Sequence, residues 1–220
     1  MSSHYFKPLL PDNFYHILNR GNNKEKLFYK KDNYDYFLKK YDNYLSDYLT
    51  TYAYCLLGNH FHLLVKLNTT KQIIQTAEKL KDIPNRLSKF NELAKSELPK
   101  IAGLIISNQF RKFFMAYAKA INNQEKRTGS LFQKNFERFK IDNIRYLNNV
   151  IEYIHKNPVH HGFTNNFKDY PYSSYERIII PKPSKLPKHE ILENFNGKEN
   201  YIRFHKEKHS FNIIRNYIVE

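Results

Sequence analysis

The residues best suited to chemistry fall in two short stretches. The first is Asn59-His60-Phe61-His62-Leu63-Leu64-Val65. Side chains of a strand alternate between faces, so His60 and His62 project together while Phe61, Leu63 and Val65 turn to the core. The two-residue turn Gly58-Asn59 joins this run to the apolar run from Thr51 to Leu57 as a hairpin. That turn pairs Leu57 with His60, Cys55 with His62 and Ala53 with Leu64. Small residues then border the imidazoles and leave room for a metal ion, while Tyr52, Tyr54 and Leu56 join Phe61 on the opposite face. The second stretch is a helical run from Asp142 to Asn157, with Ile144, Leu147, Val150, Ile151 and Ile154 as its core stripe. Tyr146, Tyr153 and Asn157 occupy an adjoining face, and Tyr153 and Asn157 are neighbours four residues apart. Together they offer a nucleophile and a third ligand. Pattern alone favours a plainer reading: polar residues on a solvated strand, a half-buried tyrosine, and an asparagine ending a helix before Pro158.

Composition narrows the class. The 220 residues fit one domain, or one domain with a tail, and 41% hydrophobic content is enough for a packed core. Lys and Arg total 36 against 21 Asp and Glu, a net charge of +15. The chain is rich in Lys, Asn, Ile, Tyr and Phe, whose codons are AT-rich, but that bias does not by itself hold Asp and Glu down. The charge favours an anionic polymer, nucleic acid first. A single cysteine excludes a disulfide framework and an all-cysteine zinc site. No run approaches the roughly 18 apolar residues that span a bilayer, and the opening residues lack a secretory apolar stretch. A soluble protein of the cytoplasm with no membrane partner is expected.

The elements that must position these residues follow from periodicity. Asn13 to Arg20 reads as a strand closed by Gly21-Asn22-Asn23. Asp32 to about Asp47 reads as a helix, and the histidine hairpin follows. The polar stretch of about 68–104 reads as an insertion with one or two short helices. A longer helix runs from about Ile105 to Asn123, and Phe132 to Ile141 forms a strand before the tyrosine helix, which Pro158 stops. Residues 1–180 form the main domain; 181–220 are a Pro-rich linker and a basic helical tail. This order predicts an α+β, ferredoxin-like antiparallel sheet with helices on one face and the other left for a ligand.

Five segments, in order, resemble one family. His60-Phe61-His62 is similar to the His-hydrophobic-His motif of HUH endonucleases. Tyr153-Ile154-His155-Lys156-Asn157-Pro158-Val159 resembles the tyrosine helix of single-tyrosine transposases, above all the REP-associated tyrosine transposases. Tyr15-His16-Ile17-Leu18-Asn19-Arg20-Gly21-Asn22, Arg127-Thr128-Gly129-Ser130-Leu131-Phe132 and Tyr170-Pro171-Tyr172-Ser173-Ser174-Tyr175 complete the set, which spans about 13–177. Gly58 departs from it, standing where the family commonly has proline.

The resemblance implies a metal-dependent endonuclease and strand transferase that cuts single-stranded DNA beside a hairpin, REP-like or at an insertion-sequence end, in the nucleoid. Tyr153 would form a 5′-phosphotyrosine, and His60, His62 and Asn157 would hold a divalent cation. Two imidazoles and an amide oxygen suit Mn²⁺ or Mg²⁺ ahead of zinc. Tyr146 is the rival nucleophile; His160 and His161 are alternative ligands, though after Pro158 they are expected rather as loop residues or phosphate contacts, and His155 as exposed. Arg20, Arg111, Arg127, Lys134, Arg138 and Lys140 flank the site elements as DNA contacts, with Lys156 beside the tyrosine. Monomer and homodimer are both open. The competing expectation is a non-catalytic, domesticated nucleic-acid-binding regulator using the same sheet face. A His-x-His hydrolase of small phosphates is disfavoured by the charge.

Overall fold

The computed structural model describes residues 8–84, 95–207, 209–210, 212 and 214–215, with backbone alone at 144. The expected lack of an apolar leader concerns 1–7, and the middle of the expected insertion is 85–94. Both stretches lie outside the described residues.

Strands β1 (Phe14–Arg20), β2 (Leu49–Leu57), β3 (His60–Leu67) and β4 (Glu137–Lys140) form one sheet in the order β2-β3-β1-β4. Every neighbouring pair is antiparallel. Helix α1 (Lys31–Leu45) connects β1 to β2, while α2 (Thr70–Lys79) and α3 (Leu98–Gln124) connect β3 to β4. This is the βαββαβ order of a ferredoxin-like α+β fold, as expected.

The hairpin register pairs Leu57 with His60, Cys55 with His62 and Ala53 with Leu64, as the two-residue turn requires. Tyr52 departs from expectation. A bulge between Thr51 and Ala53 takes Tyr52 out of the ladder and turns it to the opposite face. There its ring meets Phe14 at 4.9 Å and its hydroxyl donates to Glu190 at 2.5 Å.

Helices α1 and α3 cover the first face of the sheet. Phe37 of α1 lies 5.1 Å from Phe61 and 4.9 Å from Phe113 of α3, ring centre to ring centre. Truncating such a ring to alanine costs about 3–5 kcal/mol. Helix α3 begins earlier than Ile105, because Pro99 sits in its first turn, where the missing N–H has no intrahelical partner to lose. Ile101, Ala102 and Ile105 are buried in the same core.

The second face is only partly open. Helix α4 (Leu147–His160) crosses it, seating Leu147, Val150, Ile151 and Ile154 on Ala53, Cys55, Leu57 and Leu64. The small residues of β2 therefore receive a helix rather than bordering an ion. Helix α4 also continues through Pro158 to His160, since a proline near a helix end forfeits a single backbone bond.

Behind α4, helices α5 (Tyr175–Ile179), α6 (Lys188–Asn194) and α7 (Lys198–Lys206) bury Tyr175, Ile191 and Tyr201 in the same cluster. His155, expected to be exposed, is fully buried among them. Its Nδ1 lies 2.9 Å from His205 Nε2 and its Nε2 lies 2.8 Å from Ser174 Oγ. The Tyr170–Tyr175 motif thus has a structural task. Tyr172 O accepts from Leu56 N–H at 2.9 Å and Ser174 N–H donates to Tyr54 O at 3.0 Å, covering the free edge of β2.

Burial holds the His155 imidazole well below the ordinary histidine range and His205 down to about 3. Both are neutral when folded and titrate near pH 6.5 when unfolded. Their contribution is therefore complete above pH 6.5 and is lost as pH falls from 6.5 toward 3, each approaching about 1.4 kcal/mol per pH unit. Urea denaturation should show stability flat from pH 8 to 7 and falling steadily from 6 to 4.5. A midpoint constant over the lower interval would contradict this account of the buried pair.

Candidate metal centre and nucleic-acid cleft

His60 and His62 project from β3 onto the second face and are 4% and 2% exposed. Asn59 Oδ1 lies 2.7 Å from His60 Nδ1, and the Asn59 amide nitrogen donates to Lys24 O at 3.2 Å. The amide oxygen therefore faces the imidazole and takes its proton. Gly21 N–H, donating to Asn59 O at 2.8 Å, pins the turn to the end of β1. A Cβ at Gly21 would fall 2.0 Å from the Glu25 carbonyl oxygen, so only glycine fits there. His62 Nδ1 lies 3.0 Å from Nε2 of His16 on β1. Both Nδ1 atoms are occupied, while both Nε2 atoms are buried with no hydrogen-bond partner among the described residues. Each orphaned buried polar atom costs about 1–3 kcal/mol. A cation would relieve both.

Helix α4 brings a second row of groups to this face. Tyr153 is 3% exposed, and its ring lies edge-on to His62 at 5.8 Å and to His16 at 6.0 Å. His161, just past the helix end, has its ring 4.6 Å from His60. Asn157 lies between them on the same stripe, four residues from each. Its Nδ2 donates to Tyr153 O at 2.9 Å, leaving Oδ1 buried and without a hydrogen-bond partner among the described residues. The ligand atoms of His60, His62 and His161 all lie within 4.8 Å of one another, so this group could bind a metal ion.

All three imidazoles are pushed toward neutrality. Burial, aided by His161 and Arg20, holds His60 down to about 3. His62 is held well below its ordinary range by burial and by His16 and His60, and His161 is lowered by burial and Arg20. Neutral imidazole is the form that ligates a metal.

A cavity of about 210 Å³ opens beside the histidines, with Asn19, Arg20, Gln133 and Glu137 in its wall. Tyr153 is not part of that wall. Asn19 and Gln133 also border a larger cleft of about 910 Å³ between α3 and the segment 127–138. Arg111, Lys119, Arg127, Lys134 and Arg138 line it among Phe114, Phe132 and Phe136. Two backbone bonds, Asn22 N–H to Leu131 O and Gln133 N–H to Arg20 O, both 2.9 Å, stitch that segment to the end of β1 and the turn after it, and bring the cleft beside the cavity. Cations interleaved with aromatic rings suit a single-stranded polyanion whose bases are free to stack.

Of the cationic residues expected to contact DNA, Arg20 reaches the cavity and Arg111, Arg127, Lys134 and Arg138 the cleft. Arg127 is also ion-paired with Glu25, and Arg138 lies 4.0 Å over the Phe136 ring, with burial lowering it to about 10. Lys140 sits outside both, 3.3 Å from Asp142. Lys156 is committed to the buried Glu152 carboxylate at 2.6 Å and Glu207 O at 2.6 Å, instead of lining the cavity or the cleft. Tyr146 ends the turn before α4 and packs against the second core cluster.

His161, from sequence only an alternative ligand behind a loop role, joins the site because α4 runs on through Pro158 and ends beside His60. His16 joins it without any role having been assigned from sequence. His16 shows its position only once β1 is paired with β3.

No family model matches the sequence. A curated relative from Haemophilus influenzae, carried provisionally under the name REP-associated tyrosine transposase, is 30% identical over 129 residues. The match takes in 59% of this chain and 60% of the relative, so the chain spans less than two thirds of that protein's length. A solved structure of a REP-associated tyrosine transposase bound to a REP hairpin matches with a TM-score of 0.55 at 17% identity, over 81% of this chain and 86% of that one. That second likeness is one of fold. Motif order, sheet topology and both matches converge: the chain is similar in sequence to a protein provisionally named a REP-associated tyrosine transposase and in fold to a solved one.

Proposed function

We propose that this protein is a metal-dependent endonuclease and strand transferase acting on single-stranded DNA beside a hairpin. The observation that carries this reading is the buried pair His60 and His62, whose Nε2 atoms have no hydrogen-bond partner among the described residues, with the Tyr153 ring set against His62. His60 and His62 would hold the cation, with Asn157 Oδ1 as third ligand and His161 as a further imidazole. The cation, when bound, supplies positive charge to a non-bridging phosphate oxygen. Adding His161 makes the donor set richer in nitrogen, which favours Mn²⁺ over Mg²⁺ and leaves zinc as the competitor.

Tyr153 Oη attacks the scissile phosphorus, and the bond to the 3′ oxygen breaks. That oxygen leaves as a 3′-hydroxyl, taking up one proton as the tyrosine loses one, and a 5′-phosphotyrosine remains. Attack by a 3′-hydroxyl reverses the exchange and rejoins a strand. One phosphate ester replaces another throughout, so no ATP is needed. Arg20 and the cationic cleft hold the strand, while Phe114, Phe132 and Phe136 offer surfaces for unpaired bases.

Burial of Tyr153 at 3%, outside the cavity wall, sets a condition. Strand entry must move α4 or the wall far enough to present the hydroxyl. The same burial favours a second reading, a hairpin-binding protein that does not cut.

Hairpin oligonucleotides with single-stranded flanks, incubated with Mn²⁺, Mg²⁺ or EDTA and run on denaturing gels, separate the two. Catalysis predicts a metal-dependent covalent adduct lost in Tyr153→Phe and kept in Tyr146→Phe; tight binding with no adduct under any condition supports the regulator. REP-type hairpins are the first to try, because the structurally similar transposase holds one.

Thermal denaturation reads the metal independently. Mn²⁺ at a hundredfold excess over its Kd should stabilise metal-stripped protein by about 2.7 kcal/mol. His60→Ala and His62→Ala should abolish the gain, and His161→Ala should reduce it.

Affinity for a single-stranded oligonucleotide should fall steeply with salt. Arg111→Ala or Lys134→Ala should each lower the log–log slope by about 0.7 if the residue meets one phosphate. An unchanged slope in both would remove the cleft from the binding surface.

A further inference from the structure

His16 has no task in the mechanism above, yet it is fully buried in the centre of the sheet. It faces Leu64 across the β1–β3 ladder, one alternate position from the Leu18–His62 pair, and so shares the face of His62. Its Nε2 lies 3.0 Å from His62 Nδ1. The ring centroids are 5.2 Å apart with planes 20° from parallel. That separation is close to the nitrogen–nitrogen distance plus one ring radius at each end. The rings therefore meet edge to edge, near a common plane, in hydrogen-bonding geometry.

We propose that His16 is a positioning residue for the metal ligand His62: its Nε2 accepts the His62 Nδ1–H and so directs the His62 lone pair, on Nε2, toward the cation. The proposal rests on the metal reading above. For His60 the equivalent direction is forced, because its partner is the oxygen of Asn59, which can only accept. For His62 the partner is another imidazole, and either ring can carry the shared proton. Were His16 the donor, the His62 proton would sit on Nε2, an N–H buried without an acceptor among the described residues and pointing where a ligand lone pair is required. Holding the other ring nitrogen is how a protein selects the tautomer and orientation of a histidine ligand.

The acceptor here is a neutral ring rather than a carboxylate, so His62 is oriented without being made strongly basic. Tyr153 meets both rings edge-on, at 80° to His16 and 89° to His62. The histidine pair is thus also the wall against which the tyrosine is seated.

The test reads tautomers before it reads metal. Long-range ¹H–¹⁵N correlation spectra of the metal-free protein should show His62 protonated on Nδ1. In His16→Phe, which keeps a planar ring but no acceptor, His62 should revert to the Nε2–H form that free histidine favours. Mn²⁺ affinity by calorimetry should then fall 10- to 100-fold. His16→Gln, whose amide oxygen can accept, should keep the Nδ1–H form and stay within a few-fold of the parent.

Wild-type His62 protonated on Nε2 would overturn the proposal outright, with no variant needed. An unaltered tautomer and affinity in a folded His16→Phe would overturn the role of His16 alone. Failure of the wild type to bind Mn²⁺ would instead overturn the metal reading on which it rests.

Discussion

The antiparallel pairing of β1 with β3 is the constraint on which the rest depends. It sets Arg20 opposite His60, Leu18 opposite His62 and His16 opposite Leu64 in one register. A slip of one residue would turn His16 to the Phe61 face and separate it from His62. Both strands are internal to the sheet, so the histidines sit where water cannot satisfy them. Their polar atoms must find partners in the fold or in a ligand. The Nδ1 atoms find Asn59 and His16; the Nε2 atoms find nothing among the described residues. A purely structural sheet would gain by placing apolar residues at 60 and 62. Retaining two uncompensated imidazoles there is the strongest physical sign of a ligand site.

Helix α4 serves two faces at once. One stripe is apolar and packs on the small residues of β2, which lets the helix come close. The adjoining stripe carries Tyr153 and Asn157 toward β3 and ends near His161. The helix is held from behind by the C-terminal helices, through His155 with His205 and through buried Glu152 with Lys156 and His209. Glu152 is fully buried, so removing Lys156 would leave its carboxyl group with less compensation in a low-dielectric interior. Residues beyond 186 therefore contribute directly to where the tyrosine sits.

Local periodicity carried much of this. Alternation and a two-residue turn were enough to align His60 and His62 with Leu57, Cys55 and Ala53. Four-residue spacing was enough to group Tyr153 with Asn157. What escaped is non-local or depends on a single backbone event. His16 lies 46 residues from His62, and no pattern within β1 marks it as a partner. Tyr52 changed face because of a bulge that has no glycine to announce it. Pro158 and Pro99 read as punctuation, yet both lie inside helices, near ends where a missing N–H is tolerated. His155 looks solvated on a helical wheel and Lys156 looks available to the tyrosine and to DNA, yet both are engaged because α7 packs behind α4. Charge density pointed to a polyanion, while the cleft that gathers Arg111, Arg127, Lys134 and Arg138 exists only after α3 and segment 127–138 meet.

The central claim is that His60 and His62 bind a divalent cation through Nε2 beside Tyr153. Pulsed electron paramagnetic resonance of the Mn²⁺-loaded protein tests it most directly, because imidazole nitrogens bound to the ion give distinct ¹⁴N couplings. The account predicts at least two such couplings in the wild type and the loss of one in His60→Ala. A spectrum with water protons and no nitrogen coupling would contradict it.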